Sequence, residues 1–241
     1  MRFAVISDIH GNLGAFKQVL VDIHQSRVDV VVCLGDCIGY GPEPEQVFNL
    51  IRQENIPSVM GNHELGLVDR SYLDWFNQPT QQSLLQTFKL LSLDTREFMK
   101  GLNSSLAVHG CRFVHGFPLD SITTYLFEVS KNELIRVFPV MRERMCFVGH
   151  THVLEIISFD GTEICRSTLR QGLISLPKGQ QYIVNVGSVG QPRDGNRDAK
   201  YVIWDSSHQT IDVRFIPYDI AATARKILEL GFPKMNADRL W

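Results

Sequence analysis

Asp8, His10, Asp36, Asn62, His63, His115, His150 and His152 offer carboxylate, amide and imidazole groups at five points along the chain. Each point follows an apolar run. Phe3–Ile6 leads into Ser7-Asp8-Ile9-His10, and Val28–Leu34 into Gly35-Asp36. Ile56–Met60 leads into Gly61-Asn62-His63-Glu64, Cys111–Val114 into His115, and Met145–Val148 into Gly149-His150-Thr151-His152. Oxygen and imidazole donors without a thiolate pair suit borderline divalent ions such as Mn, Fe, Zn, Co or Ni. So many donors exceed what one tetrahedral ion needs and match two ions sharing a bridge. Gly-His-x-His alone would arise by chance in roughly 2% of shuffled chains of this composition, whereas an isolated Gly-Asp carries almost no information. The information lies in the ordered set.

Such a set requires elements that bring the five points together. Runs of β-branched and apolar residues read as strands buried on both faces. Between them, Leu13, Phe16, Leu20 and Ile23, and later Val47, Leu50 and Ile51, recur at helical spacing. Strand–loop–helix units at this pitch predict an α/β fold, where ligands gather beyond the carboxyl ends of the strands. From about 65 to 100 no strand pattern appears, and Trp75, Phe76, Leu84, Leu85, Phe88 and Leu91 predict helices over the site, as a lid or as packing cover. Leu106–Val108 and Cys111–Val114 predict a hairpin turning at His109-Gly110. Leu134, Ile135 and Phe138 mark a helix. Leu154–Phe159 and Glu163–Arg166 predict a second hairpin about Asp160-Gly161. Tyr182–Val186, Tyr201–Trp204 and Ile211–Ile216 read as strands, and Ile220–Leu230 as a closing helix capped by Gly231.

With 241 residues the chain can bury a sizeable core, and one domain over 1–241 with a helical insertion at about 65–100 is the simplest organisation. A net charge of −2 with no basic run argues against a nucleic-acid or membrane-surface partner. Five cysteines, odd in number and without a Cys-x-x-Cys pair, point to a reducing compartment. The short apolar start is no signal peptide, and no run approaches a membrane span, so a cytoplasmic protein is expected.

The order Asp8-x-His10, Gly35-Asp36, Gly61-Asn62-His63-Glu64, His115 and Gly149-His150-Thr151-His152 resembles the signature of the calcineurin-like metallophosphoesterases. With Gly39-Tyr40-Gly41-Pro42-Glu43-Pro44, Asn185–Arg193 and the closing helix, the chain looks like a small bacterial branch grouped with diadenosine tetraphosphatase-like proteins. The resemblance implies a four-layer αββα sandwich with two mixed sheets. It implies one ion on Asp8, His10, Asp36 and His152, and another on Asp36, Asn62, His115 and His150, with Asp36 bridging. It also implies hydrolysis of a phosphate ester, a diester, monoester or nucleotide, by a metal-bridging hydroxide, with His63 as general acid towards the leaving group. Such a site would carry about +1 and attract a phosphate. For His115 the rival is His109, which also precedes a glycine. Arg193 is a candidate phosphate contact or a loop salt bridge, and Asn12 a site residue or a helix cap. Many members carry an aspartate where this chain has Gly39, which leaves His63 without its usual orienting partner, and Gly39-Tyr40-Gly41 argues against a protein phosphatase. Two other functions fit the same fold: a non-catalytic protein-binding scaffold, disfavoured because no ligand is missing, and a nuclease, disfavoured by the charge.

Overall fold

A computed structural model describes all 241 residues. Eleven strands form two mixed sheets. In the first, β1 (Arg2–Ile6) lies parallel to β2 (Val30–Cys33) and antiparallel to β10 (Ala199–Asp205), which continues to β11 (Thr210–Ile216) and β8 (Gly172–Ser175). The second runs β3 (Ser105–Val108), β4 (Cys111–Val114), β5 (Met145–Val148), β9 (Gln181–Val186), β6 (Leu154–Phe159), β7 (Ile164–Thr168), with β4, β5 and β9 parallel.

Side-chain alternation along the strands explains the layering. Phe3, Val5, Val202 and Trp204 point inwards and meet Phe113, Phe147, Val184 and Val186 of the other sheet. Their neighbours Ala4, Ile6, Tyr201 and Ile203 point outwards, beneath α1 (Leu13–Gln25) and α2 (Pro44–Gln53). On the far side Cys146, Val148 and Ile183 pack with Leu134 and Phe138, in and beside α6 (Lys131–Val137). Helix, sheet, sheet and helix therefore form four layers, and both sheets are apolar on two faces. Each large side chain buried this way contributes roughly 1.5–3 kcal/mol.

Residues 62–100 are helical: α3 (Asn62–Val68), a 3₁₀ segment (Arg70–Trp75), α4 (Gln78–Leu90) and α5 (Leu93–Lys100). The chain closes with α7 (Ile220–Glu229) and α8 (Lys234–Asp238), and Gly231 takes a positive φ (72°) just past α7. No helix is long and apolar enough to cross a membrane.

Some expectations need correction. Ile56–Met60 is not a strand. It makes only two bridges, Cys33 to Ser58 and Val59 to Asn103, because Pro57 has no N–H to extend a ladder. The second strand is Val30–Cys33, shorter than its apolar run. β8 and α8 were not anticipated: β8 is half-exposed and only four residues long, and α8 is barely more than one turn.

Candidate metal centre

The parallel strands β1 and β2 of one sheet, and β4 and β5 of the other, end at one rim. There the loops continue to pair. His10 N–H donates to the Asp36 carbonyl (2.8 Å) and Gly11 N–H to that of Cys37 (2.7 Å). Gly149 N–H donates to the His115 carbonyl (2.9 Å), and Gly190 N–H, beyond β9, to the Asp8 carbonyl (2.9 Å). Gly149 lets the sheets approach, since a Cβ there would lie 2.5 Å from Asp8 Oδ2. Asp8, His10, Asp36, His150 and His152 all adopt positive φ, between 50° and 69°. Left-handed backbone disfavours residues with side chains, and its concentration here marks a rim shaped for side-chain placement.

The eight residues singled out by spacing converge and are buried. Asp8 Oδ1 lies 3.2 Å from His152 Nε2 and 3.8 Å from His10 Nε2, and those two nitrogens are 3.1 Å apart. Asp36 Oδ2 lies 3.4 Å from His115 Nε2 and 3.7 Å from His10 Nε2. His115 Nε2 is in turn 3.0 Å from Asn62 Oδ1 and 3.1 Å from His150 Nδ1. Asp36 thus stands between an Asp8–His10–His152 group and an Asn62–His115–His150 group.

The outer nitrogens decide which ring atoms face inwards. His10, His115 and His152 each donate Nδ1–H to a backbone carbonyl, of Ile38 (2.8 Å), Leu34 (2.8 Å) and Gln191 (2.6 Å). His150 is turned the other way and donates Nε2–H to Thr123 (3.2 Å). Carbonyls only accept, so each ring in its neutral form presents its remaining nitrogen to the cluster as a lone pair. Facing lone pairs at 3.1 Å, with Asp8 Oδ1 buried and unpartnered, repel unless a cation lies among them. The residues therefore fit divalent metal.

The charges agree. Burial opposes ionisation of Asp8 and Asp36, yet the histidines around them hold both carboxylates below their usual range. Burial likewise lowers His115, but Asp36 and Asp8 outweigh it and raise the ring to about 10. The two buried carboxylates thus favour positive charge among them. His150, buried beside His115, falls to about 3.

His63 lies beside these groups, its Nε2 3.8 Å from Asp36 Oδ2, while its N–H donates to Asp36 Oδ1 (2.9 Å). Its Nδ1 is buried with no partner, and a Cβ on Gly39 (φ 124°) would lie 2.1 Å from it. Rings orient it instead: His10, Tyr40 and Phe76 meet it nearly edge-on with centroids 4.7, 4.7 and 5.2 Å away. Burial, helped by His152, His115 and Arg193, lowers His63 to about 4 against the pull of Asp36.

Other expected residues fall differently. His109 sits in the β3–β4 turn with φ 51°, and His115 is the histidine that joins the cluster. Asn12 caps α1: its Oδ1 accepts from Ala15 N–H (3.1 Å), and its amide donates to the Gly190 carbonyl (2.9 Å). Arg193 lines the cleft, bonds Gln191 (3.3 Å) and makes no salt bridge with a loop carboxylate.

Three features escaped the spacing argument. Glu64 is wholly buried and accepts from the N–H groups of Asp36, Cys37, Ile38 and Gly61, tying the Asp36 loop to α3. Burial and the Asp36 charge raise it to about 7. An aromatic slot of about 380 Å³, lined by Tyr72, Trp75, Phe76 and Tyr125, includes Asn62 and His150 in its wall. Beside it is a polar cleft of about 560 Å³ over Asp36, His63 and His152, lined also by Arg193 and Arg239. Glu64 was visible in Gly-Asn-His-Glu; the slot and Arg239 come from segments with no common pattern.

A buried histidine–aspartate centre at the carboxyl rim of a four-layer αββα sandwich defines a metallophosphoesterase. Residues 1–209 match the calcineurin-like phosphoesterase superfamily domain, and the chain belongs to that family of metal-dependent phosphate-ester hydrolases. It is 34% identical to an uncharacterized protein of Methanocaldococcus jannaschii over 99% of this chain and 96% of that one. The crystal structure of a metallophosphoesterase from Sphaerobacter thermophilus is 33% identical, with a TM-score of 0.85 over 100% of this chain and 98% of that one. A symmetrical bis(5'-nucleosyl)-tetraphosphatase of Wigglesworthia glossinidia brevipalpis is 39% identical over 71 residues, 28% of this chain and 26% of that one.

Proposed function

We propose that the protein hydrolyses a small nucleotide-type phosphate ester at a dinuclear metal site. Asp8, His10, Asp36 and His152 would hold one ion, and Asp36, Asn62, His115 and His150 the other. Bound divalent ions would supply Lewis acidity towards the phosphate oxygens and acidify a water for in-line attack. The observation that carries this reading is the inward convergence of four imidazole nitrogens on two carboxylates, each ring pinned by a carbonyl behind it.

The remaining residues then have separate work. Arg193, at the cleft wall, has a guanidinium suited to two phosphate oxygens. The slot between Trp75 and Tyr125 suits a flat aromatic group such as a nucleobase. Burial holds His63 neutral at neutral pH. An anionic phosphate beside it favours its protonated form, and that proton goes to the departing oxygen. The partial match to a nucleosyl-tetraphosphatase supports the nucleotide class.

The test is reconstitution with Mn, Fe, Zn, Co or Ni, with bound metal counted per chain. It is followed by a screen of mononucleotides, cyclic nucleotides, dinucleoside polyphosphates and simple mono- and diesters. Two ions per chain and turnover of at least one nucleotide are expected. One ion at saturation, or no turnover with any metal, refutes the reading.

A further inference from the structure

The last turn of the chain enters the cleft. Arg239 follows α8 and lines the same cavity as Asp36, His63 and His152. It lies beyond residue 209, where the family match ends. Its backbone is anchored on both sides. Three residues earlier, the buried Asn236 amide donates to the Tyr40 carbonyl (3.0 Å) and to Ser83 Oγ on α4 (2.9 Å). One residue later, Leu240 is buried with Ala224, Ile227 and Phe232. Arg239 itself is exposed. A fastened backbone with a free guanidinium is a presented group, not a frayed end.

Arg193 meets the cleft from the loop after β9, its guanidinium 5.8 Å from the centre of the Tyr40 ring. The loop beyond it is fastened by Lys200, whose wholly buried ammonium bonds Asp194 (2.9 Å) and the Asn196 carbonyl (2.6 Å). A second cavity, of about 510 Å³, continues outwards from the first. It shares Arg193 and Arg239 and adds Arg197 and Trp241. The arginines and lysines within the strands, Arg2, Arg112, Arg166, Lys200 and Arg214, all pair with carboxylates. Arg193 and Arg239 instead have no carboxylate partner, and they line a path leading away from the candidate metal centre. The scissile phosphate belongs at that centre, so cations strung outwards from it serve a different anion.

We propose that Arg239, with Arg193, forms a second anion subsite, which selects substrates carrying a second phosphate beyond the scissile one. The inference rests on the phosphoesterase reading for which phosphate is cleaved, but the subsite can be read by binding alone. Guanidinium forks recognise phosphate through paired charge-assisted hydrogen bonds, which a lysine or a neutral side chain does not reproduce.

Trp241, whose ring centre lies 5.8 Å from the Arg197 guanidinium, supplies a fluorescence signal beside the subsite. The manganese-loaded 241-residue protein is titrated with adenosine 5'-monophosphate, adenosine 5'-diphosphate and adenosine 3',5'-bisphosphate. The same nucleotides are then competed against p-nitrophenyl phosphate hydrolysis. At least one doubly phosphorylated nucleotide should bind roughly tenfold more tightly than the monophosphate. Arg239→Gln should bring that ratio towards one. Arg225→Gln, an exposed arginine of α7 outside the cleft, should leave it in place. No preference in the wild type, or the same preference in Arg239→Gln, overturns the subsite even if esters are hydrolysed. A preference that depends on Arg239, with no ester hydrolysed under any metal, supports the subsite and counts only against the phosphoesterase reading.

Discussion

Asp36 organises the site because each of its polar atoms has a different partner. Oδ1 accepts from His63 N–H, its own N–H donates to Glu64, and Oδ2 faces the ring nitrogens of His115, His10 and His63. Asp36→Asn keeps the shape and removes the charge, so it should lose most bound metal and activity; full metal content with unchanged turnover would contradict a bridging role. His63→Ala should keep the wild type's metal content. It should slow esters with poor leaving groups by roughly 100-fold or more and activated p-nitrophenyl esters much less. Equal slowing of the two classes would argue that His63 only binds substrate. Gly39→Ala tests how His63 is placed. A Cβ 2.1 Å from Nδ1, at φ 124°, must displace the ring or the loop, at a cost of roughly 2–4 kcal/mol. Loss of activity with metal content retained is expected, and wild-type rates would mean that the ring cage does not matter. At this scale the eight site residues were legible because each follows an apolar run that ends abruptly. The atoms that aim them were not: the carbonyls of Leu34, Ile38, Thr123 and Gln191 belong to residues whose type says nothing about a backbone acceptor.

Elements were readable in proportion to their burial. β1, β5 and β9 lie inside both faces of a sheet and leave long apolar runs, whereas β8 alternates half-buried and exposed residues from its edge position. Ile56–Met60 shows the opposite error, since its apolar pattern is real but Pro57 breaks the ladder. The left-handed residues at the strand ends had only a weak signal, because aspartate and histidine are enriched at positive φ among residues with side chains yet adopt it in a small minority of cases. Elements are also tied by charge. Asp22 on α1 accepts two hydrogen bonds from Arg214 on β11 (2.7 and 3.0 Å) and one from the Tyr201 hydroxyl on β10. Burial would raise the Asp22 pKa, but the Arg214 and Tyr201 bonds outweigh it and hold it below the ordinary value of 3.8. A carboxylate depressed on folding stabilises above its unfolded pKa and loses that contribution as pH falls through its folded pKa. Asp22→Asn should therefore melt below the wild type at neutral pH, by about 1 kcal/mol for a pair this open to solvent. The gap should close below about pH 3.8. A gap unchanged to pH 2 would mean that the clamp works through packing and not charge.

Across the whole molecule, the donors come from both sheets. Asp8 and Asp36 come from one sheet, His115, His150 and His152 from the other, and only a few backbone bonds such as Gly190 to Asp8 join the sheets at that rim. An ion held by Asp8 and His152, or by Asp36 and His115, would be a cross-link between the layers as well as a Lewis acid. Metal that binds only the folded chain stabilises it by mass action, about 2.7 kcal/mol at a free concentration 100 times Kd. In a chain of 241 residues that raises Tm by roughly 5–10 °C. Adding manganese to protein stripped with a chelator should produce this shift, and the chelator should reverse it. His152→Ala and His115→Ala each weaken a different group, so each should halve the bound metal and keep part of the shift. If either variant lost all metal, the two groups would be binding as one site. If neither changed the count or the melting temperature, these histidines would not be ligands. A stripped protein that melted with the wild type's full Tm would show that the sheets are held at this rim by packing alone.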